Sequence, residues 1–368
     1  MAARRPTAAF ALALLAGCQV YDPSLLPTDA GVPGYEAAVP PPRPEAPDDA
    51  EDVGELTFVI RDVLFEQDGD RWATIGYDLD GRLTEPPAYD TACRPPHAPT
   101  RPETDGEGGI DNAFGRHLFP LVEVTNPGLQ GVARGFQAEG VGAIALTVRG
   151  WNGADDDARV EVAAAVTVFG VAAEPADDEP PAAVLTSEGP ETPEGEALEL
   201  PTWDGSDWVW VRDDNFFEED LTRPFIADDN AYVTGGTLVF RLPDRTDFVF
   251  PGAEIGLLVR LTGALATARL VDGGERLEDM VVAGRWPLLD LLETAESVGV
   301  CRDTASYDIL ARRLDRVADV RAQRGTGGPD VPCDAVSLGL RFEAASRARI
   351  AGLAEGLPVP NACAEEEP

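Results

Sequence analysis

The clearest pattern in the chain lies near its end, where Val336, Leu338, Leu340, Phe342 and Ala344 alternate with Ser337, Gly339, Arg341 and Glu343. A period of two places one set toward a core and the other toward solvent, which predicts a half-buried strand. The same reasoning covers "GAIALTVRGW", with Ile144, Leu146 and Val148 on one face, and "ARVEVAAAVTVFG", with Val160, Val162, Val166 and Val168. The "NGADDD" between them opens with an Asn-Gly turn signal, so the two segments are expected to form a hairpin with Asp155, Asp156 and Asp157 as solvated charge at its tip. "LTFVIRDVLF" (56–65), "HLFPLVEV" (117–124), "DWVWVRDD", "GTLVFRLP", "DFVFPG" and the run Ile255, Leu257, Val259, Leu261 add further strand signals.

Two segments break this rhythm. "PLLDLLETAESVG" starts at Pro287 and stops at Gly299, the order expected of a helix. "DTASYDILARRLDRVADVRAQRG" places Leu310, Leu314 and Val317 on one stripe, with Asp303 as its cap and Gly325 as its stop. The fold expected is mainly β: an antiparallel β-sandwich or a β-rich α+β fold with a small C-terminal helical insertion. No repeat recurs at a fixed period.

The N-terminus follows different rules. Arg4 and Arg5 precede a short apolar stretch, Ala8 to Ala16, which closes on Leu15-Ala16-Gly17-Cys18. Small residues followed by a thiol, at this distance from Met1, resemble the lipobox of bacterial lipoproteins. The resemblance implies cleavage before Cys18, lipidation of its sulfur, and a membrane anchor made of several acyl chains. "GGIDNAFG", downstream of a cysteine, also resembles a phrase in uncharacterised lipoproteins of high-GC Gram-negative bacteria. Gln19 differs from the Asp that retains enteric lipoproteins in the inner membrane, so the outer membrane is the expected address. The organisation then reads as a signal peptide (1–17), a lipidated N-terminus with a proline-rich acidic tether (18–54), and a first β-rich half (55–172). A Pro/Glu-rich loop or linker (173–198), a second β-rich half with the helices (199–363) and an acidic tail (364–368) follow. The two halves are compatible with one domain.

The formal charge of −37 leaves no basic face for nucleic acid and suits a soluble, self-repelling surface outside the cell. With Cys18 set aside, Cys93, Cys301, Cys333 and Cys363 remain, an even set that implies two disulfides in an oxidising compartment. Of the three connectivities, Cys301 with Cys333 and Cys93 with Cys363 is the expected one.

"TDGEGGIDNAFG" (104–115) invites a calcium reading, yet an EF-hand register from Asp105 puts Gly109, Ile110 and Arg116 where ligand, glycine and glutamate belong. What survives is an irregular calcium site from Asp105, Glu107, Asp111 and Asn112, set against a glycine turn in which Gly108 and Gly109 supply positive φ. "YDLDGRL" (77–83) is a second Asp-x-Asp-Gly stretch that could hold a cation or simply end a strand, and proximity of the two loops would decide between these readings. "PTWDGSDWVWVRDD" sets Trp203, Trp208 and Trp210 beside carboxylates, as sugar-binding surfaces do; period two sends Trp208 and Trp210 to the core and leaves Trp203 as the ligand-facing candidate. His97 and His117 are the only histidines, and no nucleophile elbow accompanies them. The expectation is a lipid-anchored envelope protein with a β-rich binding or structural module, whose partner is polysaccharide or another envelope protein. Its rival is a carbohydrate-active hydrolase using two carboxylates.

Overall fold

The computed structural model describes residues 35–45, 52–87, 89–96, 103–125, 128–186, 189–250, 257–356 and 362–363. Cys18 with the signal peptide, most of the tether, His97 and the acidic tail lie outside the described residues.

The strands are β1 (Leu56–Val63), β2 (Ile144–Arg149), β3 (Asp157–Val171), β4 (Val184–Thr186), β5 (Gly189–Glu191), β6 (Trp208–Arg212) and β7 (Ile226–Thr234). They continue as β8 (Thr237–Arg241), β9 (Arg245–Phe250), β10 (Leu257–Val271), β11 (Arg276–Pro287), β12 (Ala335–Arg347) and β13 (Arg349–Ala354). The helices are α1 (Ala113–His117), α2 (Phe119–Thr125), α3 (Leu129–Ala138), α4 (Leu288–Ser297) and α5 (Ala305–Val317).

The fold is mainly β, but the main sheet closes on itself where a sandwich was expected. In the order β3-β2-β1-β12-β11-β10-β8-β7 the strands pair antiparallel, and β7 returns to β3 to complete an eight-stranded barrel. The registers bring Phe58 opposite Leu146, Leu146 opposite Ala164, and Val282 opposite both Ala266 and Leu340. The predicted β2–β3 hairpin is present, with Ile144 facing Val166. Strands from the two β-rich halves are neighbours, since β1 lies between β2 and β12.

Inward residues such as Phe58, Ile60, Leu146, Val162, Leu238, Leu338 and Leu340 fill the barrel with one apolar cluster. Each is worth roughly 1.5–3 kcal/mol on burial. The outer face of β1, β2 and β3 is also covered. The last residues of β3 leave the barrel to pair with β6, and β13 adds parallel to β6. Val59 packs with Ala143 and Val209, and Ala145 with Ala165 and Val211. Burial on both faces explains why "LTFVI" reads as a continuous apolar run. Trp208 and Trp210 lie in this second layer, as their period suggested.

The segment expected as a strand at 117–124 is helical, α1 followed by α2. Asn112 caps α1 by accepting the Gly115 N–H, and helical spacing directs Phe114, Leu118 and Phe119 into the core. Phe114 stacks on Trp286 with ring centroids 5.1 Å apart. Helix α3 carries no clear periodic signal in the sequence, because Gln130 and Gln137 interrupt its apolar stripe. Their buried carboxamides take the place of a strand at the end of β1: Phe65 N–H donates to Gln130 Oε1 at 2.7 Å and Val63 N–H to Gln137 Oε1 at 3.1 Å. Helix α4 stops before Gly299 as expected. Helix α5 is capped by Thr304 rather than Asp303, and ends at Val317 rather than Gly325, because the chain turns to bridge Val320 with Ala335. No helix among the described residues is long and apolar enough to cross a membrane.

Residues 35–45 belong to the stretch expected as an extended tether. They are extended but docked: Asp78 N–H donates to Ala38 O at 2.8 Å, Ala38 N–H to Gly108 O at 2.7 Å, and Tyr232 Oη to Pro41 O at 2.7 Å.

Candidate functional site: a convergence of acidic loops

The loop after β1 and the loop before α1 meet at the bottom of β12. In the first, Gly81 N–H donates to Asp78 Oδ1 at 2.7 Å and Arg82 N–H to Asp80 Oδ1 at 2.8 Å, closing a tight turn. In the second, Asp111 is buried, and its Oδ2 accepts the N–H groups of Leu79 at 2.7 Å and Asp80 at 3.2 Å. One acidic loop is thus folded onto the carboxylate of the other. Asp105 adds a second tie, accepting the Thr84 N–H at 2.5 Å.

One oxygen from each of Asp78, Asp80 and Asp111 lies within 4.8 Å of the others. Asp80, Asp105 and Asp111 then line a small cavity of about 10 Å³ together with Glu103, Asp319, Thr84 and Thr91. That is room for one water-sized sphere. Asp319 arrives from the turn after α5 and is held by Ser337, whose N–H donates to Oδ1 at 2.8 Å and whose hydroxyl donates to Oδ2. Behind the cluster, buried Arg285 donates to Leu79 O and Gly263 O. Tyr35, from the docked N-terminal segment, donates its phenol to Asp78 Oδ2.

So much negative charge in so little water is costly. Burial, then neighbouring carboxylates, push Asp105 up to about 9 and Asp80 up to about 7. Asp319 rises to about 6, chiefly by burial and despite its bonds from Ser337. Asp111 is driven well above the usual range by burial and by Asp80, Asp105 and Asp319. Burial also lowers the Arg285 guanidinium, while Asp111 and Asp80 hold it up. At neutral pH the cluster therefore takes up positive charge, either as shared protons or as a cation. The donors are all hard oxygens, which suit Ca²⁺ or Mg²⁺ and not a thiophilic metal.

Of the residues expected to form an irregular calcium site, Asp105 and Asp111 are in the cluster. Glu107 is exposed on the turn beside it. Asn112 is committed elsewhere: its Nδ2 donates to Gln67 Oε1, Trp72 O and Ile75 O, and its Oδ1 accepts from Gly115 and Gly339 N–H. The glycine turn is also present. Gly109 has φ 77°, and a Cβ there would fall 2.1 Å from the Tyr35 hydroxyl. The sequence signalled Asp78 and Asp80 through the Asp-x-Asp-Gly turn, but carried no signal for Asp319, Tyr35 or Arg285.

Trp203 is half-buried at φ 59°, with Nε1 donating to Ala138 O at 2.8 Å and Arg61 lying 4.2 Å over its ring. The disulfides are Cys93–Cys333 and Cys301–Cys363, correcting the expected pairing. Backbone pairing explains the first: Arg94 N–H donates to Val331 O and Cys333 N–H to Arg94 O, which aligns the two cysteines beside the acidic cavity. Of the three aspartates at the β2–β3 tip, Asp157 is buried and accepts from Asn152 and Arg159 N–H, and Asp156 accepts from Gly235 N–H. Asp155 and Asp156 are exposed, as expected of solvated charge, and Asp157 alone is buried to brace the turn.

The chain matches no family model, no curated protein and no solved structure.

Proposed function

We propose that this protein is a lipid-anchored component of the cell envelope whose β-barrel serves as a binding or structural module pinned by a divalent cation, calcium. The anchor rests on Leu15-Ala16-Gly17-Cys18, and outer-membrane placement rests on Gln19 after the lipidated residue. The ion rests on a single observation: acidic loops distant in sequence are folded against one another around a cavity of about 10 Å³. A cation there neutralises carboxylates that burial otherwise forces to keep protons, and it ties the loop after β1 to the loop before α1. The partner is polysaccharide or another envelope protein, and no nucleic acid is involved.

The filled barrel favours this reading over a carbohydrate-active hydrolase. The acidic cavity admits an ion or a water but not a sugar ring, so its paired carboxylates cannot flank a glycosidic bond. Two measurements test the proposal. Labelled palmitate is expected to enter the wild-type chain and not the Cys18→Ala variant; label in both, or a variant still fixed to membranes, overturns the anchor. Calorimetric titration of the chelator-treated protein with CaCl₂ is expected to give one site per chain, and a flat titration at pH 8 overturns the ion.

A further inference from the structure

The outer wall of the barrel carries a groove of about 470 Å³ that crosses the neighbouring strands β10, β11, β12 and β1. Volumes of ~300–1,000 Å³ are usual for sites that hold small ligands. The floor is a strip of alternating charge. Arg276 reaches Glu278 at 3.3 Å, Glu278 also takes Arg269, Arg269 reaches Asp279 at 3.1 Å, and Asp279 takes Arg341 at 2.7 Å. Asp272 closes the far end on Arg276 at 2.7 Å. Three guanidiniums thus face three carboxylates, and a locally neutral strip lies on a chain whose formal charge is −37.

The backbone is shaped for this. Between β10 and β11 the register shifts, so that Thr267 faces Val281 while Arg269 faces Glu278. The extra residue on β11 is accommodated around Asp279, which sits at φ 53°, a conformation L-residues seldom adopt. The bulge lets one carboxylate meet both Arg269 and Arg341. At the β1 end, Arg61 donates to Ser346 Oγ at 2.9 Å and sits over the Trp203 ring, 4.2 Å from its centroid, while its Nε is buried with no acceptor. Leu277 and Phe342 also border the groove, but both are buried in the core, so no apolar pocket opens from it.

We propose that this groove binds a neutral oligosaccharide. Paired ions hold each other in fixed orientation, and each keeps unused N–H groups or lone pairs that match the donor-and-acceptor character of sugar hydroxyls. The neutral strip offers an anion no net attraction, and the acidic chain repels an anionic polymer at long range. A peptide would find no pocket for apolar side chains. The inference rests on the reading of the barrel as a binding module and names its ligand class.

The test is affinity electrophoresis of the full-length protein in native detergent gels containing dextran, mannan, laminarin or polygalacturonate. At least one of the three neutral polymers is expected to retard the wild-type protein, and polygalacturonate is not. Asp279→Gly removes the central acceptor and also relieves the left-handed backbone, so it should weaken retardation at least 5-fold with melting unchanged or raised. Arg341→Gln should weaken it similarly. No retardation by any neutral polymer, retardation by polygalacturonate alone, or an Asp279→Gly protein retarded like wild type would each overturn the proposal. Palmitate labelling and calcium titration on the same preparation report on the anchor and the ion independently, so failure in the gel is distinguishable from failure of the wider reading.

Discussion

Replacing Asp111 by Asn removes one titratable carboxyl from the centre of the acidic cluster and keeps an oxygen for the Leu79 and Asp80 N–H groups. Without a cation, the folded protein holds protons on Asp80 to about pH 7 and on Asp105 to about pH 9, whereas the unfolded chain releases them near 3.8. The folded state therefore binds more protons across this window. The stabilisation is full below about pH 4 and is lost as pH rises toward 7 to 9. Raising one carboxyl from 3.8 to about 7 corresponds to roughly 4 kcal/mol, at about 1.4 kcal/mol per decade. The neighbouring carboxyls do not simply add, because each shift contains the others. A cation bound only by the folded state at a thousandfold excess over Kd returns about 4 kcal/mol. At about 2 °C per kcal/mol for a chain of this size, the difference is about 8 °C. The assay is thermal melting at pH 5 and pH 8, in EDTA or in CaCl₂. Wild-type protein should lose several degrees from pH 5 to pH 8 in EDTA, regain them with calcium at pH 8, and respond little at pH 5. Asp111→Asn should melt above wild type in EDTA at pH 8 and ignore calcium. Because both proteins share the remaining surface charge, their difference isolates the cluster. Equal wild-type melting in EDTA and calcium at pH 8, or an Asp111→Asn protein that melts below wild type in EDTA, would refute the reasoning.

Two further outcomes follow from the surroundings of the cluster. Cys93→Ser with Cys333→Ser should cost about 2–5 kcal/mol in urea unfolding and weaken the calcium response, since this bridge, with a sequence separation of 240, borders the cavity. Opening Cys301–Cys363, with a separation of 62, should leave the calcium response intact. Asn112→Ala strands the Gly115 and Gly339 N–H groups and the carbonyls of Trp72 and Ile75, and should cost about 3 kcal/mol or more by urea unfolding. A loss under 1 kcal/mol would mean that water replaces the side chain.

Strand periodicity carried most of the fold because it reports which face of a residue is buried. It identified β12, the β2–β3 hairpin and the inward Ile144, Leu146 and Val148. Period two does not say which strand lies alongside, so closure through β7 onto β3 was not legible and a sandwich was equally consistent. Nor does it register burial on both faces: Val59, Ala145 and Ala165 point out of the barrel and are still covered by the β6 layer. Helix α2 was hidden because "HLFPLVEV" is apolar at nearly every position, which fits a buried strand as well as a buried helix. Helix α3 was hidden because Gln130 and Gln137, polar by type, are buried by hydrogen bonding to β1.

The acidic site shows a different limit. For 104–115 and for 77–83 the sequence fits a turn and an ion site equally, because Asp and Gly serve both. In the structure the two roles reside in the same carboxylates: Asp78 and Asp80 each close their turn with one oxygen, and Asp111 uses one oxygen to hold that turn in place. Turn formation is what sets these carboxyls side by side, and burial of the turns is what makes their charge expensive. A carboxylate needed only for a turn works equally well in water. Five of them drawn from three loops and pressed around one small cavity, with Arg285 as the buried guanidinium beside them, create a demand for positive charge that turn geometry does not require. Asp319 completes that demand from a stretch whose sequence suggests only the tail of a helix, so the charge of the site could be counted only after the chain was folded.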